Sequence, residues 1–231
     1  MAITSSDLRL LLERVLGARC EVPVERAVLM AITGIDACGK GHVSAQLVRT
    51  LEAHGLRVAS IGVDGWLALP QVRFGATNRP EHFYLHAVRF EEMFAKLVLP
   101  LRESRSIRLE ADFTEETASE YRRHLYEFQD VDVVLLEGIY LLKRPFQELY
   151  DLSCWIECSF ETALERALAR AQEGLPRDET ASVYETLYFP AQGIHLERDD
   201  PRGAATLTVN NDPRPRRVPL DLCSASWKAR P

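Results

Sequence analysis

The sequence predicts an α/β fold: a mostly parallel sheet covered by helices on both faces. Short apolar runs recur along the chain, as at residues 26–33 and 132–137, and segments of ten or more residues with helical periodicity separate them. The runs are almost wholly apolar, as expected of strands buried on both faces, and their alternation with helices marks βαβ units.

The elements follow in order. Ser5 and Ser6 are candidate N-caps, and behind them Leu8, Leu10, Leu11, Leu12, Val15 and Leu16 keep a helical period, with Arg9, Glu13 and Arg14 between. Residues 1–25 therefore read as an amphipathic helix packed on the core of a domain spanning 26–212. The first strand is residues 26–33, RAVLMAIT, ending at Gly34. A helix is expected at 40–54, a strand at 57–63, a helix at 81–99, and strands at 107–110 and 132–137. Then come a strand at 152–158, helices at 160–173 and 179–187, and a last strand at 205–209. Pro213 and Pro215 forbid a continuing helix, so 213–231 reads as a surface tail that Leu220, Leu222 and Trp227 can anchor.

Composition narrows the possibilities. A chain of 231 residues is one large domain or two small ones, and a core of that size buries about 70% of the unfolded surface. With 46% hydrophobic and 27% charged residues it is neither disordered nor fibrous. The formal charge of −6 supplies no general field for nucleic acid or anionic lipid, so any phosphate site must be local. Five cysteines, Cys20, Cys38, Cys154, Cys158 and Cys223, include no CxxC pair and read as reduced thiols. With no leader pattern and no run of 18 apolar residues, a cytoplasmic protein with no membrane partner is expected.

Residues 34–40, Gly34-Ile35-Asp36-Ala37-Cys38-Gly39-Lys40, fit G-x-x-x-x-G-K between a predicted strand and a predicted helix. Successive amides of such a phosphate-binding loop cradle anions, the helix N-terminus adds about half a positive charge, and Lys40 can reach β- and γ-phosphates. Glycines at such a corner also serve simply to turn the chain, but an accidental Gly-Lys at this spacing is uncommon. Gly41 stands where Ser or Thr would offer Mg²⁺ a hydroxyl; His42, next along, can meet a phosphate or solvent, and Ser44 lies too far along the helix to substitute. Oriented amides around Cys38 would favour a thiolate, though phosphoryl transfer needs none.

Two acids close apolar strands. Asp64 ends VASIGVD, and Glu137 follows Val133–Leu136; both are expected at the carboxyl edge of the sheet, where open α/β sheets bind ligands. Asp64 suits a base for an alcohol and Glu137 a Mg²⁺ site that Asp64 can share; each also fits an Asp-Gly or Glu-Gly turn.

GIDACGK, VDGWLALP, EGIYLL, DLSCWIEC, FETALERALAR and YFPAQGIHLERDDPRGAATLTVNND, in this order over roughly residues 28–212, resemble the P-loop uridine kinase and phosphoribulokinase group. The resemblance implies a three-layer P-loop NTPase fold with a helical lid, and transfer of the ATP γ-phosphoryl group to a primary hydroxyl of a small sugar-containing acceptor, a nucleoside above all. It assigns Asp64 as base or acceptor anchor, Glu137 to the metal, residues 34–42 to the nucleotide, and Arg166 and Arg170 to a lid over the phosphates, with Arg177 less securely placed. The cofactors implied are ATP and Mg²⁺. Arg166 and Arg170 equally suit a solvated helix face. His82, Tyr84, His86 and Arg89 are acceptor-side candidates but lack the group's Asp-Ala-Phe-Asp pattern, and Tyr84, Val88 and Phe90 also make a core stripe. Tyr121 and Tyr126 flank Arg122, Arg123 and His124, which can receive an anion or sit in water. Gly41 and the weak acceptor motif leave open a nucleotide-binding regulatory or degenerate protein; an NTPase acting on nucleic acid is disfavoured by charge. Self-association is compatible with the sequence and not fixed by it.

Overall fold

The computed structural model describes residues 3–75, 77–171 and 174–214. Five parallel strands form the main sheet in the order β2-β5-β1-β6-β7: β1 (Val28–Gly34), β2 (Val58–Gly62), β5 (Val133–Gly138), β6 (Leu152–Glu157) and β7 (Leu207–Asn210). Every residue of β1 is buried, which explains its uninterrupted apolar sequence. Strand alternation divides the core. Leu29, Ala31, Val134 and Leu136 face one apolar cluster, and Val28, Met30, Ile32, Val133 and Leu135 face the other.

The second cluster is closed by α1 (Ser5–Glu21) and α2 (Lys40–Ala53). Leu11 and Val15 of α1 are fully buried there, each worth about 1.5–3 kcal/mol of transfer free energy, so α1 belongs to the core. Its N-cap is Thr4, whose hydroxyl accepts from Asp7 N at 3.1 Å, rather than Ser5 or Ser6, which lie inside the first turn.

The opposite face carries α3 (Pro70–Arg73), α4 (Arg79–His86), α5 (Phe90–Met93) and α6 (Leu99–Ser104). The single helix expected at 81–99 is thus broken: residues 87–89 leave the helix, and Ala68 N and Arg89 N bond across this break to Ala87 O and Trp66 O. Between α5 and α6 residues Phe94–Val98 form a π turn, just ahead of Pro100. A proline removes one helical hydrogen bond and pushes away the carbonyl four residues back, and a widened turn relieves both. The same device recurs between α8 (Arg177–Val183) and α9 (Phe189–Asp199), where a π turn at Tyr184–Tyr188 precedes Pro190. Helix α9 extends well past the helix expected at 179–187. Before it, α7 (Phe160–Arg170) is capped by Ser159, whose hydroxyl accepts from Thr162 N.

The strand expected at 107–110 lies outside the main sheet. It is β3 (Ile107–Phe113), paired antiparallel with β4 (Arg122–Phe128), a strand the sequence reading did not propose. The pair packs on the 3₁₀ turn Val63–Trp66 through Phe113 against Gly65 and through Tyr126 stacked on Trp66 at 5.8 Å. The expected tail anchors Leu220, Leu222 and Trp227 lie outside the described residues. Among the described residues no helix is long and apolar enough to cross a membrane.

Candidate active site

Register assembles the site. Glu137 stands opposite Gly62 of β2 and Ile32 of β1, and Thr33 is paired with Gly138, its hydroxyl donating to Gly138 O at 2.8 Å. The carboxyl ends of three adjacent strands therefore deliver Asp64, Glu137 and the phosphate loop to one edge, and all three line one cleft of about 460 Å³.

The loop needs both its glycines. A Cβ at Gly34 would lie 2.7 Å from Cys38 Sγ and from Ile156 O on the neighbouring strand. Gly39 has φ +99°, in the left-handed region, and its Cβ would collide with the Asn211 side-chain amide. The loop is braced from outside. Arg166 donates to Cys38 O at 3.0 Å and to Asn211 O at 2.7 Å, and Gln192 accepts from Asp36 N at 3.0 Å. Tyr184 donates to Asp36 Oδ2 at 2.6 Å and receives a bond from Arg170 at 3.3 Å.

Lys40 opens α2 and is buried, its Nζ donating to Ile35 O at 3.0 Å inside the loop. Burial works against the ammonium, but neighbouring Cys38 and the carboxylates of Asp36, Glu137 and Asp64 outweigh it, so its pKa lies above the usual lysine range. Burial raises the pKa of Asp64 and of Glu137, with Lys40 pulling each back down. Among the described residues neither carboxylate accepts a side-chain hydrogen bond.

These two carboxylates fit a hard cation. No group of three or more His, Cys, Asp or Glu side chains able to cage a metal occurs among the described residues, so an ion here would draw its remaining ligands from phosphate and water, as Mg²⁺ does. Glu137 Oε2 lies 3.9 Å from where a Gly41 Cβ would stand, beside the missing hydroxyl.

The remaining candidates are placed as follows. Cys38 is fully buried, and desolvation raises its pKa, with Lys40 pulling it back down. His42 lines the cleft at the start of α2, exposed, with Nε2 3.0 Å from Gln46 Nε2. His82 bonds Val72 O, and His86 packs on His82 at 4.5 Å. Tyr84 is buried, donating to Asp199 Oδ2 at 2.7 Å. Arg89 is held by Glu92 and lies over Trp66 and Tyr121. Arg122 and Arg123 pair with Glu115 and Asp112 on the hairpin, and His124 packs against Phe113 and Tyr126. None of these acceptor-side candidates lines the cleft; Leu67, Arg73, Phe83, Glu116 and Tyr188 do. Arg177 begins α8 in solvent, outside the cleft.

No protein-family model matches the chain. Solved structures do. A possible uridine kinase from Bacillus stearothermophilus aligns over 86% of this chain and 98% of its own, with 17% identity and a TM-score of 0.64. A candidate fructose transport system kinase from Silicibacter sp. TM1040 aligns over 87% and 98%, at 22% identity and TM-score 0.65. A D-glycerate 3-kinase from Cryptococcus neoformans aligns over 81% and 88%, at 16% identity and TM-score 0.60. The chain thus shares the fold of these solved kinase structures, a parallel sheet covered by helices with the G-x-x-x-x-G-K loop at the end of its first strand. A phosphoribulokinase from Rhodobacter spheroides shares the fold too, aligned over 74% of this chain and 68% of its own at 13% identity and a TM-score of 0.51, in keeping with the resemblance the motifs carry.

Proposed function

We propose that this protein is an ATP-dependent phosphotransferase that moves the γ-phosphoryl group to a hydroxyl of a small acceptor. The observation that supports it is the convergence of Lys40, Asp64 and Glu137 beneath the loop amides at one sheet edge. In this reading residues 34–42 hold the triphosphate through backbone amides, with Lys40 leaving Ile35 O for the β- and γ-phosphates. Asp64 orients the acceptor hydroxyl and takes its proton; its raised pKa makes it a better base than an exposed aspartate. Glu137, with Asp64 beside it, would hold Mg²⁺, which supplies neutralisation of phosphate charge. Arg170 reaches the cleft from the end of α7, and Arg166, also lining it, fixes the loop. Such catalysis is positioning plus electrostatics in a site that excludes water.

A nucleoside is the acceptor the resemblance implies, and Phe83 and Tyr188 offer aromatic walls for one. An ATP-consumption screen of nucleosides, pantothenate and sugar phosphates, with and without Mg²⁺, tests the reading; ATP binding without acceptor-dependent ADP release would instead favour a nucleotide-binding protein with little turnover, the reading Gly41 motivates. A cytoplasmic location and self-association belong to the same proposal.

A further inference from the structure

Arg73 ends α3, beyond Asp64, and lines the cleft although only 3% exposed. One Nη donates to the backbone carbonyl of Glu116, in the connection between β3 and β4. Its Nε is buried without a hydrogen-bond partner, and among the described residues Arg73 forms no ion pair. Other shielded arginines away from the loop are ion-paired: Arg26 and Arg102 hold Asp151 at 2.7 and 3.4 Å, Arg89 holds Glu92 at 2.6 Å, and Arg105 holds Asp132 at 2.6 Å, while Arg166 instead braces the loop through Cys38 O and Asn211 O. A buried cation without a counter-ion is costly. Burial accordingly weakens its hold on its proton, a loss that Tyr188, Glu116 and Asp64 only partly restore.

ATP does not account for this cation. The triphosphate loop springs from β1, whereas α3 follows the turn after β2, and β2 and β1 are two strands, about 10 Å, apart across the sheet. Lys40, Arg166 and Arg170 already line the nucleotide end. Between the two ends stands Asp64. A molecule with its hydroxyl at Asp64 and an anionic group a few bonds away would give Arg73 the partner the protein withholds, and the planar guanidinium suits a carboxylate or phosphate held by two oxygens.

Resting on the kinase reading, we infer that the acceptor is a small hydroxyl-bearing anion, a hydroxy acid or a sugar phosphate, whose carboxylate or phosphate is gripped by Arg73; this replaces the neutral nucleoside as the expected acceptor. Arg73 sets specificity and holds the acceptor for Asp64.

The test is calorimetry on the full chain saturated with Mg²⁺ and β,γ-imido-ATP, so that the loop is filled before any second anion is added. D-glycerate and pantothenate form the carboxylate arm, ribose 5-phosphate and fructose 6-phosphate the phosphate arm, and ribose, glycerol and uridine the neutral arm. The expected result is binding by at least one anionic arm, more tightly than by any neutral probe, and weakened about 10- to 100-fold in Arg73→Gln with partial recovery in Arg73→Lys. Binding of the imido nucleotide by each variant checks that it is folded, and the anionic-against-neutral comparison on the unaltered chain needs no variant. Failure of every anionic probe, tighter binding by a neutral one, or binding indifferent to Arg73→Gln overturns the inference. Phosphate transfer to uridine unaffected by Arg73→Gln would sink it while the kinase reading stands; anion binding that depends on Arg73 but is never followed by transfer would sink the kinase reading instead.

Discussion

The side-chain amide of Asn211 donates a 2.7 Å hydrogen bond to Cys38 O, the carbonyl that Arg166 holds from α7 at 3.0 Å. The phosphate loop is thus fixed by the residue following the last strand as well as by its own glycines. Asn211→Ala deletes a buried bond of about 1 kcal/mol, lowers the melting temperature by roughly 2–4 °C and weakens ATP binding several-fold. Arg166→Ala removes two contacts and should cost more. Thermal melts and nucleotide titration check both; ATP affinity unchanged in Arg166→Ala would show that the brace is dispensable.

Asp64→Asn keeps the shape of the site and removes the carboxylate to which the kinase reading gives the proton. ATP affinity stays near that of the unaltered protein while phosphate transfer falls by about 10²–10⁴. Because burial lifts the Asp64 pKa, activity should decline with falling pH at values above the ordinary aspartate range of about 3.9, as the base takes up its proton. Single-turnover rates against pH measure this, and a rate flat down to pH 4 would contradict it.

Gly41 has open space around it, the nearest atom to an added Cβ being Glu137 Oε2 at 3.9 Å. Gly41→Ala is therefore tolerated and stabilises α2 by up to about 1 kcal/mol. Gly41→Thr brings a hydroxyl beside Glu137 and lowers the Mg²⁺ concentration needed for half-maximal transfer. An unchanged Mg²⁺ titration would separate the hydroxyl from metal use.

His195 and Tyr84 share the buried carboxylate of Asp199, at 2.6 and 2.7 Å. Burial holds the His195 pKa below its ordinary value of about 6.5, even against the pull of Asp199, so the unfolded chain takes up this proton first. Stability should then be lost as pH falls through about 6.5, and His195→Gln should abolish that step in a series of melts from pH 8 to pH 5. Tyr84→Phe costs about 1–3 kcal/mol, since the carboxylate stays buried with one donor fewer.

The loop side of the cleft was legible because it is local: one strand, one glycine-rich turn and one helix start carry Gly34, Gly39 and Lys40, and apolar runs ending in acids carry Asp64 and Glu137. The rest of the lining was not, because it is assembled from distant segments. Arg73, Phe83, Glu116 and Tyr188 come from α3, α4, a hairpin connection and a π turn, and no spacing rule links them. Arg73 sits in a four-residue helix, where charge alone marks it as surface. Likewise β4 carries Arg122, Arg123, His124 and Glu127, whose polar pattern hides a strand that is half exposed. The break at residues 87–89 was missed because Ala87, Val88 and Arg89 suit a helix as well as they suit the bends that bond to Ala68 and Trp66.

The widened turn ahead of Pro190 has a consequence for how this protein can vary. Tyr184, which steadies Asp36, and Tyr188, on the cleft wall, leave it with rings 5.2 Å apart, while Gln192 meets the loop one turn further on. One residue more or fewer in a helix rotates everything on one side of it by about 100° relative to the other. Deleting a residue from 184–188 would swing Tyr184 off the loop while leaving Gln192 in place, so chain length in this segment is under tighter constraint than residue identity.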